Sequence, residues 1–464
     1  MRHCVVLLLL YSTIVWPLTA ARADAPNIVL VLVDTLRADR LGAYGNQRGL
    51  TPFLDSLAQR GVVFANAYAP SSWTCPSVAS LFTSRYPSQH GVVNFEAVLG
   101  DGEVTLAEQL VEGGYVAGGF SANFRIARNL GYAQGFADWQ AYLDPNLGGK
   151  PRGDVLRRDG VAWAKSTLAA SPKRSALLYL QYMEPHAPYA PPEPYRARFE
   201  LKAGADEHTA SAKLMTEAFV KDLSPSETSL LESLYDGEVA AVDAEIRLLF
   251  AELEQAGFLD HAIIVITADH GEEFGEHGVF LHGATLYNPS IRIPLIVIAP
   301  GVSGGRTVTE NVSLLDLAPT LLELAGLPAA PTFEGRSLTS LMHTPSVADR
   351  LWARYFGSKD VDEVISELEP RHPGFDVRRH TRTIVDGTQK LLEAADGTST
   401  LYDLHTDPGE MTPLEGPEPA ARAAQLLSRL AQIESATKDR AATASRQPID
   451  DATKEKLRAL GYQP

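Results

Sequence analysis

Ser71-Ser72-Trp73-Thr74-Cys75-Pro76-Ser77-Val78-Ala79-Ser80-Leu81-Phe82-Thr83-Ser84-Arg85 is the stretch on which the reading of the chain turns. Pro76 fixes φ where a first helical turn begins, and the Val78, Leu81, Phe82 spacing gives the following helix an apolar stripe. The pattern predicts a helix that starts just after Thr74. Its first N–H groups lack intrahelical partners and its positive dipole end faces the Thr74 hydroxyl, which makes a cradle for phosphate or sulfate. Thr is also a common N-cap, so an ordinary capped helix reads the same way.

Outward from this stretch, the chain alternates strands and helices. Asn27 to Val33 is a continuous β-branched and Leu run, the mark of a strand buried on both faces of a parallel sheet, and it ends at Asp34. His261 to Thr267 is another, ending at Ala268-Asp269-His270-Gly271-Glu272. Open α/β sheets collect ligands at the C-terminal edges of such strands. Two adjacent metal-competent side chains followed by Gly can bend around one ion, which singles out Asp269 and His270 beside Asp34. Ala176 to Gln181 is a third buried strand and runs into Met183-Glu184-Pro185-His186-Ala187-Pro188-Tyr189. A histidine held between prolines is stiff, which suits placement near a leaving group. A His that merely packs in a Pro-rich loop fits too.

Between these lie a capped amphipathic helix at Thr51 to Ala58, a short strand at Phe64 to Ala69, a helix at Leu106 to Gly113 and a strand at Tyr115 to Phe120. Further on come a helix through Ala170, a polar helical insert at 197–230, and a helix from Tyr235 to Ala256. Arg382 to Leu392 and Ser399 to Leu404 read as paired strands joined through Asp396-Gly397, and Ala420 to Ile433 as a helix. The class is α/β, with a large, mostly parallel central sheet flanked by helices and a small C-terminal antiparallel sheet with a helix.

The stretch around Thr74 resembles the sulfatase signature C-x-P-S-R-x-x-x-L-T-G-R of the alkaline phosphatase superfamily. Thr74 falls where sulfatases carry the cysteine that is oxidised to formylglycine. Cys75 cannot take its place, because Pro76 follows it directly. Val78 stands where the signature has Arg, and Ser84 where it has Gly. The resemblance implies an unmodified Thr74 nucleophile, as in the phosphodiesterases and phospho-headgroup transferases of the superfamily, and no formylglycine. It extends in order from about Pro26 to the C-terminus: Asp34-Thr35 at the first metal loop, where sulfatases read Asp-Asp; Pro185-His186-Ala187-Pro188; Tyr235-Asp236-Gly237-Glu238-Val239 with Asp243; Asp269-His270, where sulfatases have Asn second; and Leu401 to Glu410. It implies a catalytic domain over 24–340 and a C-terminal subdomain with a helical tail over 341–464. By the same resemblance His282 takes the place of a Lys or His that contacts the transferred group, His277 supports its loop, and Asn94 is placed to touch substrate. A loop amide bonding its own backbone fits Asn94 equally.

The first residues read as an export signal: Arg2 and His3, an apolar run from Val5 to about Trp16, and Ala21-Arg22-Ala23 as a cleavage site. The run is too short to span a bilayer comfortably, so the expectation for 1–23 is a cleaved signal and a periplasmic or secreted protein without a stable membrane span. Cleavage removes Arg2, Arg22 and no acid, taking the formal charge from −16 to −18. Such acidity argues against a nucleic-acid partner. Of the two cysteines only Cys75 remains, so no intramolecular disulfide forms. Reactive thiol and small buried filler both fit it.

Together these residues predict a divalent metal among Asp34, Thr74, Asp269 and His270, with zinc or manganese favoured by the imidazole, calcium also open, and the number of metals, one or two, left open as well. Thr74 attacks, and His186 or His282 protonates the departing oxygen. A Thr ester lacks the aldehyde-forming exit of formylglycine, so the reading leans to phosphate or phosphonate esters of small molecules, glycans or lipids. Sulfate ester hydrolysis, headgroup transfer and an inactive binding protein are the alternatives. The last requires lost metal ligands, and they are present.

Overall fold

The computed structural model describes residues 25–143, 150, 152–198, 207–218, 222–343, 354–357, 380–438, 445–448 and 454. The expected export signal and the tail through Tyr462 lie outside the described residues. The main sheet has nine strands. In chain order they are β1 (Asn27–Val33), β2 (Val62–Tyr68), β3 (Val116–Ser121), β4 (Asp138–Ala141), β5 (Ala176–Tyr182), β6 (Ala262–Thr267), β7 (Arg292–Ile293), β8 (Leu295–Ile298) and β9 (Arg306–Ser313).

The order β4-β3-β5-β1-β6 is parallel throughout. Beyond it β8 is antiparallel to β6, β7 and β8 run antiparallel along β2, and β9 joins β2 in parallel. The sheet is therefore mostly parallel, as its uninterrupted apolar runs predict, with antiparallel pairing confined to one side. Helices cover both faces: a Cβ on Gly118 would strike Trp163 of helix Gly153–Ala170, and on the other face Phe82 of helix Thr74–Thr83 packs against Trp139 and Tyr179.

Parallel pairing aligns strand ends. Leu32 of β1 pairs with Thr267 of β6, and Val33 with Tyr182 of β5. The residues that follow, Asp34, Ala268-Asp269 and Met183 to His186, therefore emerge at one edge. β2 points the same way and delivers the Thr74 loop there.

The helix Thr74–Thr83 is buried at all ten positions, not only along the Val78, Leu81, Phe82 stripe expected from sequence. Its small hydroxyl residues make this permissible, because each finds a partner: Ser77 Oγ donates to Ser71 O, Ser80 Oγ meets His90 Nε2, and Thr83 Oγ1 donates to Ala79 O. Phe82 packs edge-on against Tyr179 of β5, fastening the helix to the sheet. Ser84, at the signature's Gly position, adopts φ 52° and is held by donating to Leu315 O while accepting from Gly335 N.

Other expectations need correction. The helix read from Tyr235 begins at Pro225, behind a Ser224/Glu227 capping box, and runs to Gln255. Helix Pro52–Arg60 is not capped by the Thr51 side chain: Asp243 of the long helix accepts from Phe53 N and Leu54 N instead. Within the expected insert, the described helices are Tyr195–Arg198 and Glu207–Ala218, the latter packed beside Phe280–Leu281.

The expected strand Arg382 to Leu392 is two strands. The C-terminal sheet runs β10 (Arg354–Gly357), β11 (His380–Asp386), β12 (Gln389–Ala394) and β13 (Ser399–Asp403), antiparallel in that order. Gly387 at φ 64° makes the β11–β12 turn, inside what reads as one continuous run. Ile384, Leu391 and Leu401 face Leu426 and Leu430 of helix Pro417–Lys438, while Val385, Leu392 and Tyr402 join the main core. No helix among the described residues is long and apolar enough to cross a membrane.

Candidate active site

Asp34, Asp269 and His270 each offer one ligand atom within 4.8 Å of the others, and all three are fully buried. Asp34 follows β1 directly, and Thr35 after it sits at φ 58°, a costly conformation for a β-branched residue. Two long-range bonds hold that turn: Thr35 N donates to Asp269 Oδ1, and Tyr235 Oη donates to Thr35 O. At the end of β6 only glycine fits position 271, where a Cβ would lie 1.9 Å from Pro289 O.

His270 Nδ1 donates to Gly271 O at 2.9 Å, so Nε2 keeps its lone pair. That nitrogen is 3.7 Å from Asp34 Oδ1, 3.5 Å from Asp269 Oδ2 and 3.2 Å from Thr74 Oγ1. Thr74 Oγ1 is also 3.5 Å from Asp34 Oδ2. Asp34 Oδ1 and Asp269 Oδ2 are buried with no hydrogen-bond partner. Two orphaned carboxylate oxygens facing an imidazole lone pair are a donor set suited to a divalent cation. Burial, then the charge of Asp269, drives Asp34 far above the usual carboxylate range, and burial pushes Asp269 up to about 7. Burial lowers His270. Each shift favours the neutral form, the signature of groups removed from water without a counter-charge.

His186 and His282 stand over this cluster. The His282 ring centroid is 4.4 Å from that of His270 and 5.0 Å from that of His186, and burial holds both His186 and His282 well below the normal imidazole range. His186 Nδ1 donates to Ala187 O. His282 Nδ1 lies 2.8 Å from Glu272 Oε1, and Glu272 Oε2 accepts from Tyr189 Oη at 2.9 Å. Burial lifts Glu272 to about 8.

The structure thus brings together Asp34, Thr74, Asp269, His270, His186 and His282. Asn94 is buried in the loop before Phe95, where its Oδ1 accepts from Glu96 N and closes a local turn. His277 supports its loop, bridging Glu273 and Gly409 O. Asp236 is likewise structural, paired with Arg40 and Arg48.

Sequence reading missed Asn123, Gln181 and Glu272. Asn123 Nδ2 donates to Asp34 Oδ2 at 3.0 Å, and Gln181 Nε2 reaches the same oxygen at 3.4 Å. Gln181 was legible as a polar residue inside a buried strand. Asn123 and Glu272 carried no comparable signal, since amides and acids are common in loops. Cys75 is a free, buried thiol pushed up by burial, which fits a filler rather than a nucleophile.

A family model described as Sulfatase matches residues 26–327. The chain belongs to the sulfatase family. A second model, for the C-terminal part of N-sulphoglucosamine sulphohydrolase, matches residues 275–436. Arylsulfatase K of Bos taurus is 26% identical over 445 residues, covering 86% of this chain and 78% of the relative. The extracellular sulfatase SULF-1 homolog of Drosophila melanogaster is 24% identical over 82% of this chain, which spans only 37% of that protein. Among solved structures, one in complex with its substrate D-glucosamine-2-N,6-O-disulfate superposes with TM-score 0.72 at 21% identity, covering 90% of this chain and 99% of that one. The phosphonate monoester hydrolase of Agrobacterium radiobacter gives 0.71 at 21% identity, covering 89% and 96%. Sulfatases and a phosphonate hydrolase share this fold, and the chain is an ester hydrolase of the family.

Proposed function

We propose that this sulfatase-family chain is an exported, metal-dependent hydrolase in which the unmodified Thr74 hydroxyl displaces the alcohol of a phosphate or phosphonate ester. The supporting observation is the Thr74 hydroxyl, 3.2 Å from His270 Nε2 at the mouth of a cluster with two orphaned carboxylate oxygens. Asp34, Asp269, His270 and Thr74 Oγ1 would hold one divalent ion, zinc or manganese before calcium. When bound, that ion supplies Lewis acidity that lowers the hydroxyl's pKa and neutralises charge on the transferred group.

Thr74 Oγ would form a bond to phosphorus as the bond to the ester oxygen breaks. His186 or His282, neutral at rest, would pass the hydroxyl's proton to the departing alkoxide and later pass one from the attacking water back to Thr74 as the intermediate breaks. The N-terminus of helix Thr74–Thr83 faces the equatorial oxygens. Residues 24–340 carry this chemistry, and 341–464 form the supporting subdomain.

The second reading is sulfate ester hydrolysis, favoured by the names of the relatives. The test is turnover of aryl phosphate, phosphodiester, phosphonate ester and sulfate with zinc, manganese or calcium, beside Thr74→Ala. Phosphorus esters are expected to turn over fastest, and Thr74→Ala to lose at least about a thousandfold in kcat. Turnover of sulfate alone reverses the substrate ranking, and an unimpaired Thr74→Ala removes the nucleophile.

A further inference from the structure

We infer that Arg125 and Trp73 form the receptor for an oxyanion of the substrate, beside Thr74. The inference rests on the reading that Thr74 stands at the reacting group. Arg125 follows β3 and is 7% exposed. A guanidinium does not shed its proton, so burial leaves a full positive charge inside the protein. Other buried arginines of this chain meet carboxylates: Arg37 pairs with Asp39 and Glu276, Arg40 with Glu232, Arg85 with Glu103. Arg125 has none among the described residues. Its Nη2 donates to Phe95 O and its guanidinium hydrogen-bonds the Cys75 thiol, while Nε has no acceptor. A carbonyl and a thiol leave the charge unneutralised.

The second observation is independent. Trp73 is buried, and its Nε1 also lacks an acceptor. Trp73 and Cys75 flank Thr74 in sequence, and helix Thr74–Thr83 opens there with no side-chain cap. Phe95 ties the two donors together, with its ring 5.0 Å from Trp73 and its carbonyl on Arg125. Two residues before Arg125, Asn123 grips Asp34, and Trp73 lies against Gly283, next to His282. A cation without an anion thus holds the thiol of the residue after Thr74, and an indole N–H without an acceptor sits on the residue before it. The group that completes them is a negatively charged oxygen: a non-bridging oxygen of the transferred phosphoryl, phosphonyl or sulfuryl group, or an anionic substituent on the alcohol portion.

Inhibition by inorganic phosphate and sulfate separates these sources, because neither ion carries an alcohol. If the transferred group is received, Arg125→Gln raises the Ki of both ions by about tenfold or more, Trp73→Phe raises it less, and bound metal is unchanged. If the alcohol portion is received, Ki holds and KM rises only for an aryl ester bearing a ring carboxylate, not for its plain counterpart. Ki and both KM values within about twofold of wild type overturn the proposal. Arg125→Met guards against a folding artefact. Removing an uncompensated buried charge is expected to leave Tm without anion at or above wild type, and phosphate then no longer raises it. A clear drop in Tm makes the guanidinium structural and also overturns the proposal. The Tm arm, in which phosphate raises wild-type Tm and not that of Arg125→Met, needs no turnover, so an active Thr74→Ala sinks the nucleophile and leaves this receptor standing.

Discussion

Two of the places where this molecule buries carboxylates solve the problem in opposite ways. Where the C-terminal sheet docks on the catalytic body, Lys390 Nζ lies 2.7 Å from a Glu410 oxygen and 3.0 Å from Asn288 Oδ1, with Lys390 and Glu410 both buried. Burial lowers the Lys390 amine and raises the Glu410 acid, and each opposes the other's shift by its charge. At the end of β1 and β6, no Lys or Arg among the described residues pairs with Asp34 or Asp269; burial and their mutual repulsion add on Asp34, and each keeps an oxygen without a described partner. The first arrangement closes on itself and clasps Asn288 at the start of helix Asn288–Ile291. The second has no counter-charge of this kind among the described residues, as the proposed cation site requires. A buried acid whose partner is missing from the chain marks a place for something from solution.

The largest expected effect breaks that contrast at its open end. Asp269→Ala is expected to lose ion uptake and to lower turnover at least about a thousandfold while remaining folded, read by metal content beside kcat. Retained ion and turnover within tenfold of wild type would make the two regions equivalent. At the closed end, Lys390→Met leaves Glu410 buried alone and should cost about 3–5 kcal/mol in denaturant unfolding, whether or not metal is present. Adding Glu410→Gln should restore most of that loss.

Metal removal sharpens the difference further. A chelator should lower the wild-type stability by about 3 kcal/mol relative to ion at a hundredfold excess over Kd, and should leave Asp269→Ala unmoved. The smallest effect concerns Asp243, which answers burial with backbone N–H groups rather than a cation. Burial raises it to about 6 from an ordinary 3.8. An acid raised in the folded state stabilises fully below the unfolded value, and that contribution is lost as pH rises through the folded one. Stability is therefore expected to fall by about 1–3 kcal/mol between pH 4 and 6, and Asp243→Asn to flatten that slope in urea titrations at the two pH values.

Much of this was legible in one dimension. The uninterrupted apolar runs before Asp34, His186 and Asp269 announce buried parallel strands, and parallel pairing obliges their ends to meet. Thr74, Pro76 and the spacing after them announce the helix whose N-terminus joins that meeting. Gln181 stood out as a polar residue in a buried strand, but Asn123 and Glu272 were not legible as site residues, because what distinguishes them is a partner far along the chain. The break of β11 from β12 was legible but passed over, since Asp386-Gly387 repeats the Asp-Gly turn signal read at Asp396-Gly397.

Local sequence, then, determined the strands, the helix start and the residue types that end them, since period and turn chemistry are properties of neighbours. Tertiary structure alone decided which charges are answered. Pairing energy depends on distance and burial, and neither is written in the order of residues.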